Sequence, residues 1–138
     1  MAFAHISYLA MLAAALASFA FGALWYGLLG RQWLAALGSG AADVAAMAKP
    51  PVWPMVISFI AELIMAIVLA GVIGHLGPGA VSVKNGVISG AFIWAGFVVT
   101  TLVVNNAYAG RKLMLSVLDA GHWLGVLLVQ GAVLGAIG

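Results

Sequence analysis

The chain has 138 residues, 66% of them hydrophobic and 6% charged, with a mean hydropathy of +1.23. A soluble domain carries roughly a quarter charged residues, so this composition excludes one and makes the chain a membrane protein. Five Lys or Arg against three acids are too few for the clustered basic face that binds nucleic acid, and the absence of cysteine excludes disulfides, thiolate metal sites and a cysteine nucleophile.

The length suits one small bundle, a single domain over residues 1–138. Residues 6–30 carry no charge and exceed the roughly 20 residues that cross a bilayer, which predicts a first transmembrane helix over 6–29. Ala15-Leu16-Ala17 has the form of a signal-peptide cleavage site, but the positive n-region is missing and the apolar run continues past it, so the segment is read as a span. Trp25, Tyr26 and Trp33, and Trp53 beyond the next connection, are read as anchors at the headgroup level.

The connection 30–53 contains Arg31, Asp43, Lys49 and the cluster Pro50-Pro51-Val52-Trp53-Pro54. Ser39 suits the cap of a short Ala-rich turn on the membrane interface, ended by the prolines, and a plain surface linker is the competing reading. Pro54 fits the first turn of a second helix over 54–76, whose only charge is Glu62. Gly77-Pro78-Gly79 marks a turn. Residues 85–110 are again uncharged and predict a third helix over 87–105, and the fourth runs over 113–137. All four prolines fall outside these helix interiors. The expected architecture is therefore all-α: a four-transmembrane-helix bundle with a short interfacial segment between helices 1 and 2. The first and third connections hold Arg31, Lys49, Arg111 and Lys112 against Lys84 in the second, so the positive-inside rule puts both termini outside.

At 1.5 Å per residue, Glu62 lies about 12 Å along its helix, Asp119 about 9 Å and His122 about 14 Å, which sets all three at one level of the cytoplasmic half. At 100° per residue, Ser116, Asp119, His122 and Gln130 share one stripe of the fourth helix, with Gly121, Gly125, Gly131 and Gly135 opposite. Ser58 stands one turn from Glu62, Trp94, Thr101 and Asn105 align on the third helix, and Ser7, Ser18 and Gly22 on the first. These lines are expected to turn inward and bond to one another. Gly86/Gly90, Gly121/Gly125 and Gly131/Gly135 fit the G-x-x-x-G packing pattern, but 18 glycines give roughly two such pairs by chance.

Phe21-Gly22-Ala23-Leu24-Trp25-Tyr26, followed by Leu29-Gly30-Arg31-Gln32-Trp33, resembles the DUF1761 family of small multipass bacterial membrane proteins. The resemblance continues through Phe97-Val98-Val99-Thr100-Thr101-Leu102, Asn105, Gly110-Arg111 and Asp119-Ala120-Gly121, nearly the whole length, with the Trp-Tyr to Trp33 segment its most specific part. It implies four spans in the inner membrane and makes Asn105 and Asp119 family-matched positions. It implies no activity, the family being one of unknown function.

Two readings of the Glu62, Asp119, His122, Asn105 and Thr101 cluster stand side by side. Two carboxyls in one dry pocket with an imidazole make a proton or cation site. Alternatively Asp119 accepts bonds from Asn105, His122 or Arg111 and locks the helices together. Asp119 and His122 at i, i+3 with Glu62 supply too few ligands for a bundle metal site, and His5 and His75 lie at the opposite boundary from His122, so neither metal nor haem is expected. No nucleophile is paired with a base and no phosphate loop is present, so enzyme activity is not expected. Beyond the lipid bilayer, the chain is expected to meet copies of itself as a homo-oligomeric transporter, or a larger membrane complex as an accessory subunit docked through its glycine face.

Overall fold

The structure, a computed structural model, describes residues 6–38, 42 and 51–138. His5, and the connection with Ser39, Asp43, Lys49 and Pro50 where the interfacial turn is expected, lie outside the described residues. Four helices carry the fold: α1 (Tyr8–Leu37), α2 (Val52–His75), α3 (Val83–Tyr108) and α4 (Leu113–Ile137). Each is long and apolar enough to cross a membrane.

Helix ends follow backbone chemistry more than charge. Ser7 Oγ accepts from Ala10 N at 3.1 Å and starts α1. No breaker interrupts α1 until Gly38, whose φ of 68° suits glycine alone, so the helix runs through Arg31 and Trp33, well past the expected end at 29. Ser82 Oγ caps Asn85 N at 3.2 Å, which starts α3 at Val83 and not at 87. At its other end Gly110, φ 65°, turns the chain into α4, with Arg111 N donating to Asn106 O.

The helices run up and down, and α4 packs against all three others. Among the described residues no Cα of α1 comes within 8 Å of one in α3, so these two lie on opposite sides of the α2 and α4 pair. The main core joins Ala10, Met11, Ala14 and Ala15 of α1 to Ala66, Leu69, Ala70 and Ile73 of α2 and to Leu127 and Leu134 of α4. A smaller cluster, Ala36, Leu115 and Leu118 with Trp33 and Leu37 against it, closes the other end of the α1/α4 contact. There Arg111 Nη1 donates to Leu37 O and Lys112 Nζ to Ala35 O, both at 3.2 Å, so cations meet the free carbonyls that end α1.

Glycine sets the closest approach. A Cβ on Gly131 would run into the backbone of Gly86, one on Gly135 into Ser82, and one on Gly90 would stand 2.7 Å from Leu127 O. Gly121 and Gly125 are covered instead by the Trp25 and Phe21 rings of α1. The glycine face of α4, expected to receive another protein, is thus filled by the chain's own helices.

One irregularity changes facing. α3 makes a π-helical turn at Trp94–Val98, with Val99 N donating to Trp94 O. Such a turn inserts an extra residue into the helical count. Thr100 Oγ1 donates to Gly96 O at 3.0 Å and Thr101 Oγ1 to Phe97 O, placing hydroxyl donors on carbonyls of the loosened turn.

Candidate functional site

A cleft of about 510 Å3 opens between α1 and α2. Its rim is made by exposed Ala23 and Gly27 of α1 and Pro54 and Met55 of α2, its sides by Phe19 and Tyr26, and its floor by Ser58, Glu62 and His122. Glu62 is 1% exposed and His122 6%. Gly22 makes room for the imidazole, because a Cβ there would lie 2.8 Å from His122 Nε2. The ring is held by aromatic neighbours, Tyr26 at 4.9 Å and Trp123 at 4.7 Å between centroids, and its buried Nδ1 has no hydrogen-bond partner among the described residues.

Glu62 belongs to a four-residue polar knot across three helices. Ser18 Oγ of α1 stands 2.6 Å from Glu62 Oε2 and 3.1 Å from Ala15 O. Gln130 Nε2 of α4 donates to Ser18 Oγ at 3.0 Å and to Glu62 O at 2.8 Å. Ser18, Glu62 and Gln130 are all fully buried. Among the described residues nothing hydrogen-bonds the second carboxyl oxygen, Oε1. The carboxyl is therefore half engaged by protein, on the floor of a cleft.

Asp119 is engaged differently. Its Oδ1 accepts from Tyr26 Oη at 2.6 Å and from Trp33 Nε1 at 3.1 Å, both on α1. Trp25 Nε1 donates to Leu118 O at 3.2 Å, and Trp94 Nε1 of α3 to Ala120 O at 2.7 Å. Trp25, Tyr26 and Trp33, expected as membrane anchors, thus aim their polar atoms at α4, while Trp53 stays 71% exposed at the start of α2. Asp119 does not line the cleft and is tied to it by the hydrogen bond from Tyr26, which does.

The structure brings Glu62 and His122 to one cleft. It does not bring Thr101 or Asn105 there: both are exposed, and Thr101 bonds within its own helix. Asn106 turns toward α4 instead and donates to Ser116 Oγ at 3.0 Å. The alignment of Trp94 with Asn105 assumed 100° per residue throughout, and the extra residue of the π turn advances the inward position by one. Ser18 and Gln130, inward-facing on the polar lines of their helices, are the hydrogen-bond partners of Glu62 that depth counting does not single out, because neither ionises. Among the described residues no group of three or more His, Asp or Glu could hold a metal.

The family-like segment is the half of this arrangement contributed by α1. Phe21, Gly22, Trp25, Tyr26 and Trp33 contact residues 118–125 of α4, so the motif and the Asp119-Ala120-Gly121 stretch are two sides of one contact. No curated protein and no solved structure matches the chain. The family model described as "Protein of unknown function (DUF1761)" matches residues 9–135, and the chain belongs to that family.

Proposed function

We propose that the chain is a proton-coupled transporter of small solutes or ions, working as a homo-oligomer in the bacterial inner membrane with both termini outside and catalysing no covalent reaction. The observation that carries this reading is Glu62, buried on the floor of the α1/α2 cleft with one carboxyl oxygen bonded and the other unpartnered. An ionisable side chain within a span is costly and marks a transport path or proton relay more often than a structural joint.

Proton accounting supports it. Ser18 has one hydroxyl hydrogen, and both Ala15 O and Glu62 Oε2 lie within its reach. With that hydrogen on Ala15 O, a proton on the Glu62 carboxyl completes the 2.6 Å contact by donation to Ser18 Oγ; with Glu62 ionised, Ser18 turns its hydrogen to the carboxylate. The same atoms hold either state with a hydroxyl rotation. Asp119, tied to two α1 donors, fits the structural lock instead. The cleft is walled by α1 and α2 with His122 of α4 and forms no passage by itself, so a second copy would complete a path.

An accessory-subunit role keeps one support. α3 is the least covered helix, with Phe92 and Phe97 at 76% and 74% exposure. The glycine surface that first motivated that role is occupied within the chain.

The test is a pH jump on protein reconstituted on a solid-supported membrane. Wild type and Asp119→Asn should give a transient current that Glu62→Gln abolishes. Equal currents from wild type and Glu62→Gln would sink the transport reading. Native mass spectrometry should show a homo-oligomer, and a fixed ratio with another protein would favour the subunit role.

A further inference from the structure

We propose that the α1/α2 cleft binds a small lipophilic ammonium ion, its N–H on Glu62 Oε1 and its apolar body between Phe19, Tyr26 and Met55. This names a substrate class for the transport site and rests on that reading of the cleft.

Charge selects the sign. Among the described residues, the titratable ones that line the cleft are Glu62 of α2, Tyr26 of α1 and His122 of α4, with no Lys or Arg. Arg111 and Lys112 are turned onto the carbonyls at the end of α1. Among the described residues an anion would find no fixed cation at the cleft, whereas a cation finds a carboxyl with a free acceptor oxygen.

Solvation selects the kind of cation. Calcium needs six to eight oxygen ligands and magnesium a near-octahedral set, and this lining offers the carboxyl, the Ser58 hydroxyl and the Tyr26 phenol against aromatic and aliphatic walls. An ammonium on an apolar skeleton asks for less. One or two N–H bonds satisfy its head, and the faces of Phe19 and Tyr26 suit a weakly hydrated cation. The volume of about 510 Å3 falls within the roughly 300–1,000 Å3 of small-molecule pockets. Access fits as well, because the rim opens on the outer surface of the bundle between α1 and α2, where lipid would concentrate such a ligand.

The experiment is isothermal titration of the purified full chain in detergent with 2-phenylethylammonium, and with 2-phenylethanol as the uncharged analogue. Wild type should bind the ammonium saturably and the alcohol about tenfold more weakly or less, and Glu62→Gln should lose about tenfold or more for the ammonium. Gly27→Leu provides a variant that leaves the packing alone: a Cβ at Gly27 meets nothing within 4 Å, and a leucine at this lining position adds bulk at the cleft rim. It should also lose about tenfold or more. Equal binding of ammonium and alcohol, or unchanged binding in both variants, would overturn the proposal. A lipid ethanolamine headgroup has the same chemistry. Phosphatidylcholine nanodiscs with and without phosphatidylethanolamine separate the two: unchanged probe affinity supports a free amine, and competitive weakening by the ethanolamine lipid overturns it. Binding without a pH-jump current would uphold this site and refute transport; a current without binding would do the reverse.

Discussion

Residues 115–122 of α4 are held by side-chain donors reaching in from α1 and α3: Trp25 on Leu118 O, Trp94 on Ala120 O, Tyr26 and Trp33 on Asp119. Residues 126–135 meet α3 through close backbone approach, with Gly131 and Gly135 against its backbone, while Gln130 bonds the other way to Ser18 and Glu62. One of these donors, Tyr26, also borders the open cleft between α1 and α2. Glycine apposition leaves no such space. Lipid tails are as apolar as leucine, so neither half gains from a hydrophobic drive between helices, and each substitutes a different short-range attraction.

The largest expected effect breaks the glycine half. Gly131→Leu drives a side chain into the Gly86 backbone, which cannot rotate away, and should cost about 3 kcal/mol or more. Reversible unfolding in mixed micelles would measure it, with Gly96→Ala, which meets open space, as the neutral control. Gly125→Ala sharpens the contrast, since its obstacle is the Phe21 ring. Adding Phe21→Leu should restore part of the loss at Gly125, and no side-chain substitution should do so at Gly131. Equal responses at the two glycines would mean that the halves are packed alike.

The next effect breaks the donor half. Asp119→Leu leaves the Tyr26 hydroxyl and the Trp33 indole N–H without their acceptor, at about 1 to 3 kcal/mol for each donor that stays buried. Asp119→Asn keeps the accepting oxygen and should cost a fraction of that. In a double-mutant cycle, Tyr26→Phe should recover part of the Asp119→Leu loss by removing the orphaned hydroxyl. Additive costs would show that the contact stores no coupling.

Much of this was legible beforehand. Uncharged runs placed four helices, because only a span needs such length without charge, and the depth count set Glu62 and His122 at one level, where the cleft joins them. The aromatic segment at Trp25 was legible as a feature but not in its direction: a tryptophan at a helix end suits a headgroup and a neighbouring carbonyl equally well, and only the facing helix decides. Ser18 and Gln130 were missed as site residues because a neutral group costs less to bury than a charge and draws less notice, although Gln130 ties α4 to both Ser18 and Glu62. The end of α1 is not legible from charge, because Arg31 ends the uncharged run but not the helix, which continues to Leu37 and is capped by Gly38.

The smallest expected effect tests the one place where counting along the helix failed. Asn105 and Asn106 are adjacent, chemically identical and separated only by which way α3 has turned after Trp94–Val98. With the extra residue of that turn, Asn106→Ala removes a bond to Ser116 and should cost about 0.6 kcal/mol, the typical worth of an interhelical hydrogen bond in a membrane. Asn105→Ala, on an exposed position, should then change unfolding by less than about 0.5 kcal/mol. A regular helix reverses the order, because Asn105 would face inward with Trp94. Ser116→Ala separates a true bond from a general helix-propensity effect: combined with Asn106→Ala it should add little further loss, and combined with Asn105→Ala it should add its full cost. The pair therefore reads the register of α3 relative to α4, the helix on which both the cleft and the Asp119 contact depend.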